Sequence, residues 1–290
     1  MIAAITLPRG GRTRLAPTPS GYLHAGNAFN FLVTERLARI SGSTLVLRID
    51  DMDAERVRPE YIEDIFLSLE WLGVQCDEGP SGPEEFHTKW SQHLRIHEYM
   101  ALVDELRARG AIYPCSCSRI QFQEIQRTGA PHSCRTSPTV EVPLGTPWRS
   151  RMPNDTEVAI RQLNGTVELA EPATLLPDPI IQQRDTGRPA YQIASLSDDL
   201  KMGISMIVRG ADLVPSTVCQ LYLAQILRRD SFREARFHHH PICMDADGQK
   251  LSKSAGSGSL KAMREAGSAP TSLITAAEGY VDWLLADIKA

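Results

Sequence analysis

The sequence predicts an α/β protein with a parallel β-sheet, and two observations support that prediction. First, a short apolar segment, a loop with prolines, a helical pattern and a second, β-branched apolar segment follow one another over residues 12–49. A strand, a helix and a strand at this spacing form a βαβ unit, and its two strands are parallel. Second, 42% of the 290 residues are hydrophobic and 23% are charged, which is typical of a globular protein with a substantial core.

The elements of the first half follow from the spacing of apolar residues and from residues that begin or end helices. Pro59 suits the first turn of a helix, where its missing N–H has no partner to lose. Gly42, Gly73 and Gly110 each follow a helical pattern, and glycine there adopts the left-handed conformation that ends many helices. The expected elements are a strand over 12–16, a helix ending at 42, a strand over 44–49, a helix over 59–73 and a helix over 91–109.

The second half is expected to begin with an insertion into the sheet domain. From residue 115 to 188, Pro, Thr, Gly and Asn are frequent and regular helical spacing fades. Apolar residues over 191–207 then predict a return to strand, residues 216–227 predict a helix, and the last thirty residues are expected to be helical. The resulting division is 1–110 for the first half of the sheet domain, 111–188 for the insertion, 189–260 for the second half and 261–290 for a short helical tail.

Charge and hydropathy narrow the class of protein. Lys and Arg number 31 against 35 Asp and Glu, so the net charge is −4, and any contact with nucleic acid must use a local basic patch. No apolar run approaches the roughly 20 residues that span a bilayer. Residues 1–14 lack the apolar core of a secretion signal. We therefore expect a cytoplasmic protein without a membrane segment.

The first chemical motif is His24-Ala25-Gly26-Asn27, which lies where the first strand leads into the first helix. A helix N-terminus offers unpaired N–H groups and the positive end of a dipole, and both suit a triphosphate. His24 can donate a hydrogen bond to phosphate oxygens, and Gly26 lets a nucleotide approach the backbone. By itself, the motif is equally typical of a turn with a capping histidine.

The second motif is Lys250-Leu251-Ser252-Lys253-Ser254, which glycines follow closely. Two lysines and two hydroxyls can bind a departing pyrophosphate by charge and by hydrogen bonds. The glycines suit a loop that closes only on bound substrate. By itself, this segment could be a solvated basic loop.

The two motifs together, in this order and more than two hundred residues apart, resemble the signatures of class I aminoacyl-tRNA synthetases. Residues 24–27 match the HIGH signature and residues 250–254 match KMSKS. Residues 14–24 and 47–53 resemble the opening and the RIEDTD segment of glutamyl-tRNA synthetases. Residues 208–213 are most similar to the shortened relatives called glutamyl-Q tRNA(Asp) synthetases.

The resemblance, which covers about residues 12–260, implies a Rossmann-like class I synthetase catalytic core with an inserted acceptor-binding subdomain. It implies ATP-dependent activation of L-glutamate to glutamyl-adenylate, with Mg²⁺, and transfer of the glutamyl group to tRNA. In the shortened relatives the acceptor is the queuosine base of tRNA(Asp), whereas ordinary glutamate–tRNA ligases charge the 3′ end of tRNA(Glu). The shortened relatives lack an anticodon-binding region. We expect the same of this chain, and we expect a monomer.

The resemblance also implies roles for individual residues. A glutamate pocket needs positive groups for two carboxylates, an acid for the ammonium and a hydroxyl. Each arginine by itself could equally form an ordinary surface ion pair. The implied glutamate-binding residues are Arg14, Ala16, Thr18, Asp50, Tyr191 and Arg209; the implied ATP-binding residues are His24, Gly26, Asn27, Ser252 and Lys253; and the implied catalytic residues are His24, Asn27, Lys250 and Lys253.

Two positions depart from the family pattern. The family has Glu where this chain has Asp50, so the acid is one methylene shorter and can reach the amino group through a water. Asn27 replaces the His, Gly or Ser that is more common at the end of the first signature. Neither change removes a charge that the mechanism requires, but Asp50 bears on the choice of amino acid.

Three cysteines and a histidine predict a zinc site in the insertion, because thiolates and imidazole make a suitable tetrahedral ligand set. The related enzymes use Cys-x-Cys followed by Tyr-x-x-x-Cys. Cys115, Cys117 and Cys134 match this pattern, Ala130 takes the Tyr position, and His132 is the replacement candidate. A water could also complete the shell, and a metal-free loop with reduced cysteines is the alternative. Any zinc is expected to be structural, holding the acceptor-binding subdomain.

The remaining cysteines and a run of histidines have simpler interpretations. Cys76, Cys219 and Cys243 are expected to be small core residues. Consecutive residues on a strand face opposite sides, so residues 238–240 are not expected to bind one metal ion. We expect a strand edge near the nucleotide, where His240 could contact adenine.

Two other functions stay open from the sequence. One is a nucleotidyltransferase of the pantothenate-synthetase type, which shares the phosphate-binding motifs but does not use RNA. The implied glutamate pocket argues against it. The other is a catalytically silent RNA-binding paralogue, and the retention of His24, Lys250 and Lys253 argues against that.

Overall fold

The computed structural model describes residues 9–136, 142–184, 186–241 and 258–287. Its strands are β1 Arg12–Leu15, β2 Thr44–Leu47, β3 Ile112–Pro114, β4 Trp148–Ser150, β5 Val158–Gln162, β6 Val167–Ala170, β7 Ile180–Gln182, β8 Met206–Gly210 and β9 Arg236–His240. Its α-helices are α1 Ala25–Ser41, α2 Pro59–Leu72, α3 Pro83–Glu85, α4 Ile96–Ala108, α5 Arg119–Thr128, α6 Ser133–Thr136, α7 Pro172–Leu175, α8 Tyr191–Lys201, α9 Val214–Ile226, α10 Asp230–Arg233, α11 Leu260–Glu265 and α12 Thr271–Asp287. A π-helical turn covers Phe86–Trp90, and 3-10 turns cover Gln92–Arg95 and Ala211–Leu213.

Parallel strand pairs form the centre of the molecule. β1 pairs in parallel with β2 along its whole length, and β8 pairs in parallel with β9. The backbone N–H of Ser205, just before β8, donates to the carbonyl of Arg12 at 2.9 Å, so the two pairs lie side by side. The predicted α/β fold with a parallel sheet is therefore confirmed.

Strands β3 to β7 form two antiparallel arrangements. β3, β4 and β7 form a three-stranded antiparallel sheet. β5 pairs antiparallel with β6 and, at Arg161 and Gln162, in parallel with β9. Part of the segment expected as an insertion thus continues the sheet that contains β8 and β9, while the division into domains stays a prediction.

The expected helix ends are present in α1 and α2. Gly42 and Gly73 both have positive φ, 64° and 72°, and their N–H groups bond to carbonyls of the last turn. Pro59 is the first residue of α2. The third predicted helix begins later than expected, because residues Gln92–Arg95 form a 3-10 turn before α4.

The strand predicted within residues 191–207 is wrong, because most of this segment is helix α8. Seven consecutive residues of α8, Ile193 to Asp199, are buried. A helix buried on several sides shows no one-sided apolar stripe, and short apolar runs of this kind do not distinguish helix from strand. Strand structure resumes only at β8.

The tail helix α12 packs along α1 and completes the core beside the parallel strands. Val281 of α12 is fully buried, and Arg36 of α1 bonds to Glu278 and Asp282 at 3.1 Å each. Among the described residues, no helix is both long and apolar enough to cross a bilayer.

Candidate active site and metal centre

A cavity of about 440 Å³ lies where the carboxyl ends of β1 and β8 meet the N-terminus of α1. This edge of a parallel sheet is where α/β proteins bind ligands. The cavity is lined by all nine described residues that the sequence predicts for glutamate or ATP: Arg14, Ala16, Thr18, His24, Gly26, Asn27, Asp50, Tyr191 and Arg209. Lys250, Ser252 and Lys253 lie outside the described residues, and so does Cys243.

His24 and Asn27 build the N-terminal cap of α1. The Nδ1 atom of His24 accepts a hydrogen bond from Gly26 N at 3.0 Å, and the Oδ1 atom of Asn27 accepts one from His24 N at 3.0 Å. Because Nδ1 accepts, the neutral His24 ring carries its hydrogen on Nε2. The cap therefore supplies an N–H donor at the helix end that the sequence predicts for phosphate.

A buried carboxylate, Asp199, stands behind the two cavity-lining arginines. Arg14 Nε donates to Asp199 Oδ1 at 3.0 Å, and Arg48 Nη1 donates to the same oxygen at 2.6 Å. Arg209 Nη2 lies 3.5 Å from Asp199 Oδ2. Burial by itself would raise the pKa of Asp199, but the three guanidinium groups outweigh it and lower that pKa. Sequence motifs alone did not assign a role to Arg48 or Asp199.

Asp50 is bound on both oxygens by Arg48. Arg48 Nε donates to Oδ1 at 2.6 Å and Arg48 Nη2 donates to Oδ2 at 3.1 Å, which is a bidentate pair. Gln92 Nε2 lies 3.3 Å from Oδ1. Burial raises the pKa of Asp50, against the opposing effect of Arg48.

A second buried hydrogen-bond network lies beside the one formed by Asp199 and Asp50. Arg95 forms a bidentate pair with Asp198 at 2.9 and 3.1 Å, and the Tyr99 hydroxyl donates to the same carboxylate at 2.8 Å. Gln92 Nε2 also donates to Asp198, at 2.9 Å, and thereby links the network to Asp50. No sequence motif indicated these pairs, because their members are about a hundred residues apart.

The three histidines of β9 point to different neighbours, as expected for a strand. His238 Nε2 lies 3.0 Å from the Tyr280 hydroxyl of α12, and His239 Nε2 lies 2.9 Å from Thr217 Oγ1 of α9. His240 lines the cavity, and its Nδ1 donates to the carbonyl of Pro241 at 2.8 Å.

The predicted metal ligands come together at the start of the antiparallel sheet. Ligand atoms of Cys115, Cys117, His132 and Cys134 all lie within 4.8 Å of one another. His132 Nε2 is 3.4 Å from Cys115 Sγ and 3.6 Å from Cys117 Sγ. Three thiolates and one imidazole at this spacing suit a closed tetrahedral zinc site.

A hydrogen-bond chain orients His132 toward the cysteines. The Tyr113 hydroxyl donates to Asp178 at 2.7 Å and lies 3.1 Å from His132 Nδ1, so it accepts from that nitrogen. Arg135 pairs with the same Asp178. Fixing the hydrogen on Nδ1 leaves Nε2 unprotonated, as a metal ligand requires. The residues therefore fit a zinc ion, with His132 in the place of the family's tyrosine.

The fold, the cavity at the strand ends and the motif at the helix start are together those of a class I tRNA synthetase. The family described as tRNA synthetases class I (E and Q), catalytic domain, matches residues 11–278. The chain belongs to this family, and it is a ligase.

Individual relatives agree with that assignment. The chain is 34% identical over 304 residues to the glutamyl-Q tRNA(Asp) synthetase of Nitratidesulfovibrio vulgaris, covering 94% of this chain and 86% of that protein. It is 32% identical over 278 residues to the glutamate–tRNA ligase of Coprothermobacter proteolyticus, covering 90% of this chain and 56% of that protein. This chain thus spans about half the length of the glutamate–tRNA ligases it matches. The glutamate–tRNA synthetase structure from Elizabethkingia anophelis has a TM-score of 0.69 and 25% identity, covering 85% of this chain and 53% of that one.

Proposed function

We propose that this protein activates L-glutamate with ATP and transfers the glutamyl group to tRNA, with queuosine of tRNA(Asp) as the acceptor. The observation that carries the choice of amino acid is the charge of the buried cluster. Three guanidinium groups, Arg14, Arg48 and Arg209, meet two carboxylates, Asp50 and Asp199. Its formal charge is therefore +1.

Glutamate neutralises that charge, because its two carboxylates and one ammonium sum to −1. Glutamine, the other amino acid of this family, has no net charge and would leave a buried cation unpaired, which costs free energy. The two cavity-lining arginines offer bidentate contacts to the carboxylates. The oxygens of Asp50 keep lone pairs beyond those that Arg48 occupies, so Asp50 can still accept from the ammonium.

The reaction depends more on the positions of the two substrates and on stabilisation of phosphate charge than on proton transfer. The α-carboxylate of glutamate attacks the α-phosphorus of ATP, a new O–P bond forms, and the bond to pyrophosphate breaks. His24 Nε2–H and the positive end of the α1 dipole stabilise the negative charge that develops on the phosphates. We assign Lys250 and Lys253 to the departing pyrophosphate on the resemblance alone. A hydroxyl of the acceptor then attacks the glutamyl carbonyl, and AMP leaves.

The identity of the nucleotide that accepts the glutamyl group is the more specific part of the proposal. Two relatives named glutamyl-Q tRNA(Asp) synthetase align with 94% and 90% of this chain and with 86% and 83% of their own lengths. These names support queuosine as the acceptor. Charging of the 3′ end of tRNA(Glu) is the second candidate, because relatives of similar identity are named glutamate–tRNA ligase.

The cysteine and histidine cluster is proposed to hold a structural zinc ion. The ion would be bound by Cys115, Cys117, His132 and Cys134, and it would tie the end of β3 to the start of α6. A fully ligated zinc adds stability and takes no part in the reaction.

The test is ATP–pyrophosphate exchange with each of the twenty amino acids, without tRNA and with bulk tRNA. Exchange that depends on glutamate and not on glutamine is the expected result. Exchange without tRNA favours queuosine as the acceptor, because ordinary glutamyl-tRNA synthetases are expected to need tRNA for activation. Absence of exchange in both conditions would favour the silent RNA-binding paralogue.

The acceptor is then located with labelled glutamate. We expect tRNA(Asp) that contains queuosine to be labelled and the same tRNA without queuosine to stay unlabelled. Nuclease cleavage should place the label in the anticodon fragment, and removal of the 3′-terminal nucleotides should not reduce it. Label confined to the 3′ end of tRNA(Glu) would instead establish the second candidate.

A further inference from the structure

Asp199 joins three arginines that reach it from three different elements. Arg14 lies in β1, Arg48 follows β2, and Arg209 lies in β8, while Asp199 itself lies in α8. The side chain of Asp199 is 0% exposed, and the three arginines are at most 3% exposed. One carboxylate thus serves as the common partner of three buried cations.

Three buried arginines can lie this close together only if a negative charge, here that of Asp199, lies between them. Like charges held close together in a buried site repel each other strongly, because the effective dielectric constant there is low. The shared carboxylate offsets that repulsion and accepts hydrogen bonds from Arg14 and Arg48, whereas its contact with Arg209 is an ion pair at 3.5 Å. Arg209 also donates to Gln220 Oε1 at 2.7 Å and to Thr217 Oγ1 at 3.1 Å, so Asp199 acts on Arg209 mainly through its charge.

Of the three arginines that Asp199 contacts, two line the cavity and one does not. Arg14 and Arg209 line it, whereas Arg48 stands behind it and binds both oxygens of the cavity-lining Asp50. Asp199 therefore touches or indirectly holds each charged group that the proposed function assigns to glutamate. ATP is assigned to the other end of the cavity, at His24 and the start of α1.

We propose that Asp199 is a positioning residue that sets the affinity for the amino acid, by fixing Arg14 and Arg209 directly and Asp50 through Arg48. This inference rests on the proposed function, since it assumes that glutamate binds between these groups. It concerns the amino acid alone. The affinity for ATP does not depend on Asp199.

Asp64 of α2 provides a matched control. It is buried to a similar degree, its Oδ1 accepts from Arg264 Nη2 at 2.6 Å, and its Oδ2 accepts from Ser68 Oγ at 3.3 Å. Of the described residues, those three groups are not among the ones that line the cavity. Both aspartates therefore have structural contacts, and only Asp199 contacts the arginines of the site.

The experiment compares Asp199→Asn, Asp64→Asn and the unchanged full chain in ATP–pyrophosphate exchange, with thermal unfolding of each. For Asp199→Asn we expect the KM for glutamate to rise about 10- to 100-fold, as for a misplaced binding group, while the KM for ATP stays within about 2-fold. For Asp64→Asn both KM values should stay within about 3-fold even where the melting temperature falls, because a structural loss reduces the folded fraction.

Two results would overturn the inference. One is a glutamate KM of Asp199→Asn within about 3-fold of the unchanged enzyme, and the other is an equal rise of both KM values. Should Asp199→Asn fail to fold, Asp199→Glu decides: a selective rise in the glutamate KM of about 5-fold or more supports the inference, and no rise refutes it. If the unchanged enzyme shows no glutamate-dependent exchange, the proposed function itself fails.

Discussion

Asn27 and Asp50, the two residues that depart from the family pattern, have local explanations in the structure. Asn27 closes the cap of α1 by accepting from His24 N, so its side chain has a role that a glycine could not fill. Asp50 is one methylene shorter than glutamate, and Arg48 binds both of its oxygens. Single residues at the site are thus explained by their hydrogen-bond partners more than by their match to a motif.

The metal centre gives a prediction at the same scale. The purified protein should contain about one zinc per chain by elemental analysis. His132→Ala should weaken zinc binding because it removes a ligand, and Tyr113→Phe should weaken it about 10- to 100-fold because it removes the group that orients His132. A chelator competition assay measures both effects.

Cys76→Ser is the control for this prediction, because Cys76 packs beside the core cluster of α2 and β2. Its zinc content should equal that of the unchanged protein. Zinc binding that is insensitive to both His132→Ala and Tyr113→Phe would show that a water, not His132, completes the ligand shell.

At the scale of elements, the loop after α2 contacts strand β2 closely. The loop after α2 returns to β2, where Leu47 N donates to the carbonyl of Glu78 at 2.8 Å. Gly79 follows with a φ of +123°, and a Cβ there would stand 2.6 Å from the carbonyl oxygen of Leu47. Because β2 leads directly to Arg48 and Asp50, this close approach also bears on the site.

We predict that Gly79→Ala lowers the free energy of unfolding by about 3 kcal/mol or more, since backbone strain and a backbone clash add. Gly73→Ala is the matched comparison. Gly73 also has a positive φ, +72°, but an added Cβ meets nothing within 4 Å, so the expected loss is about 1 kcal/mol. Urea unfolding of both variants measures the difference, and equal losses would contradict the clash.

At the scale of the whole molecule, buried histidines link stability to pH. Burial lowers the pKa of His238 and of His239 to about 4, and neighbouring cationic or histidine side chains add to the effect. His238 faces Tyr280 of α12, and His239 faces Thr217 of α9. Both histidines thus lie between elements that close the core around β9, and a positive charge on either one would be unfavourable there.

The sign of the pH effect follows from proton binding. The unfolded chain binds protons on both residues below about pH 6.5, and the folded chain does so only near pH 4. Stability should therefore fall as the pH drops from about 6.5 toward 4, by up to about 1.4 kcal/mol per pH unit for each histidine. Urea unfolding between pH 7 and 5 tests this, and His238→Gln with His239→Gln should flatten the profile. His97→Gln, at a side chain that is 79% exposed, should not change it.

The sequence by itself determined the class of fold, most helix ends and the part of the site at the start of α1. These features depend on local patterns: glycine and proline at helix ends, apolar spacing, and a phosphate motif at a strand-to-helix junction. The phosphate motif singles out His24 and Asn27, and the resemblance to the synthetase family singles out Arg14; all three line the cavity. The same local reasoning failed for α8, because a segment buried on several sides has no periodic face.

Only the tertiary structure decided which charged groups meet. Arg48 and Asp199 are 151 residues apart in the chain, and their side chains lie 2.6 Å apart. Such a pair depends on how β1, β2, β8 and α8 pack, and no local pattern encodes that packing. For His132, which the sequence already offers as a candidate ligand, the tertiary structure adds Tyr113 and Asp178, which orient its ring. Local sequence fixes local geometry, whereas the electrostatics of a buried site depend on contacts that form only when distant segments close the core.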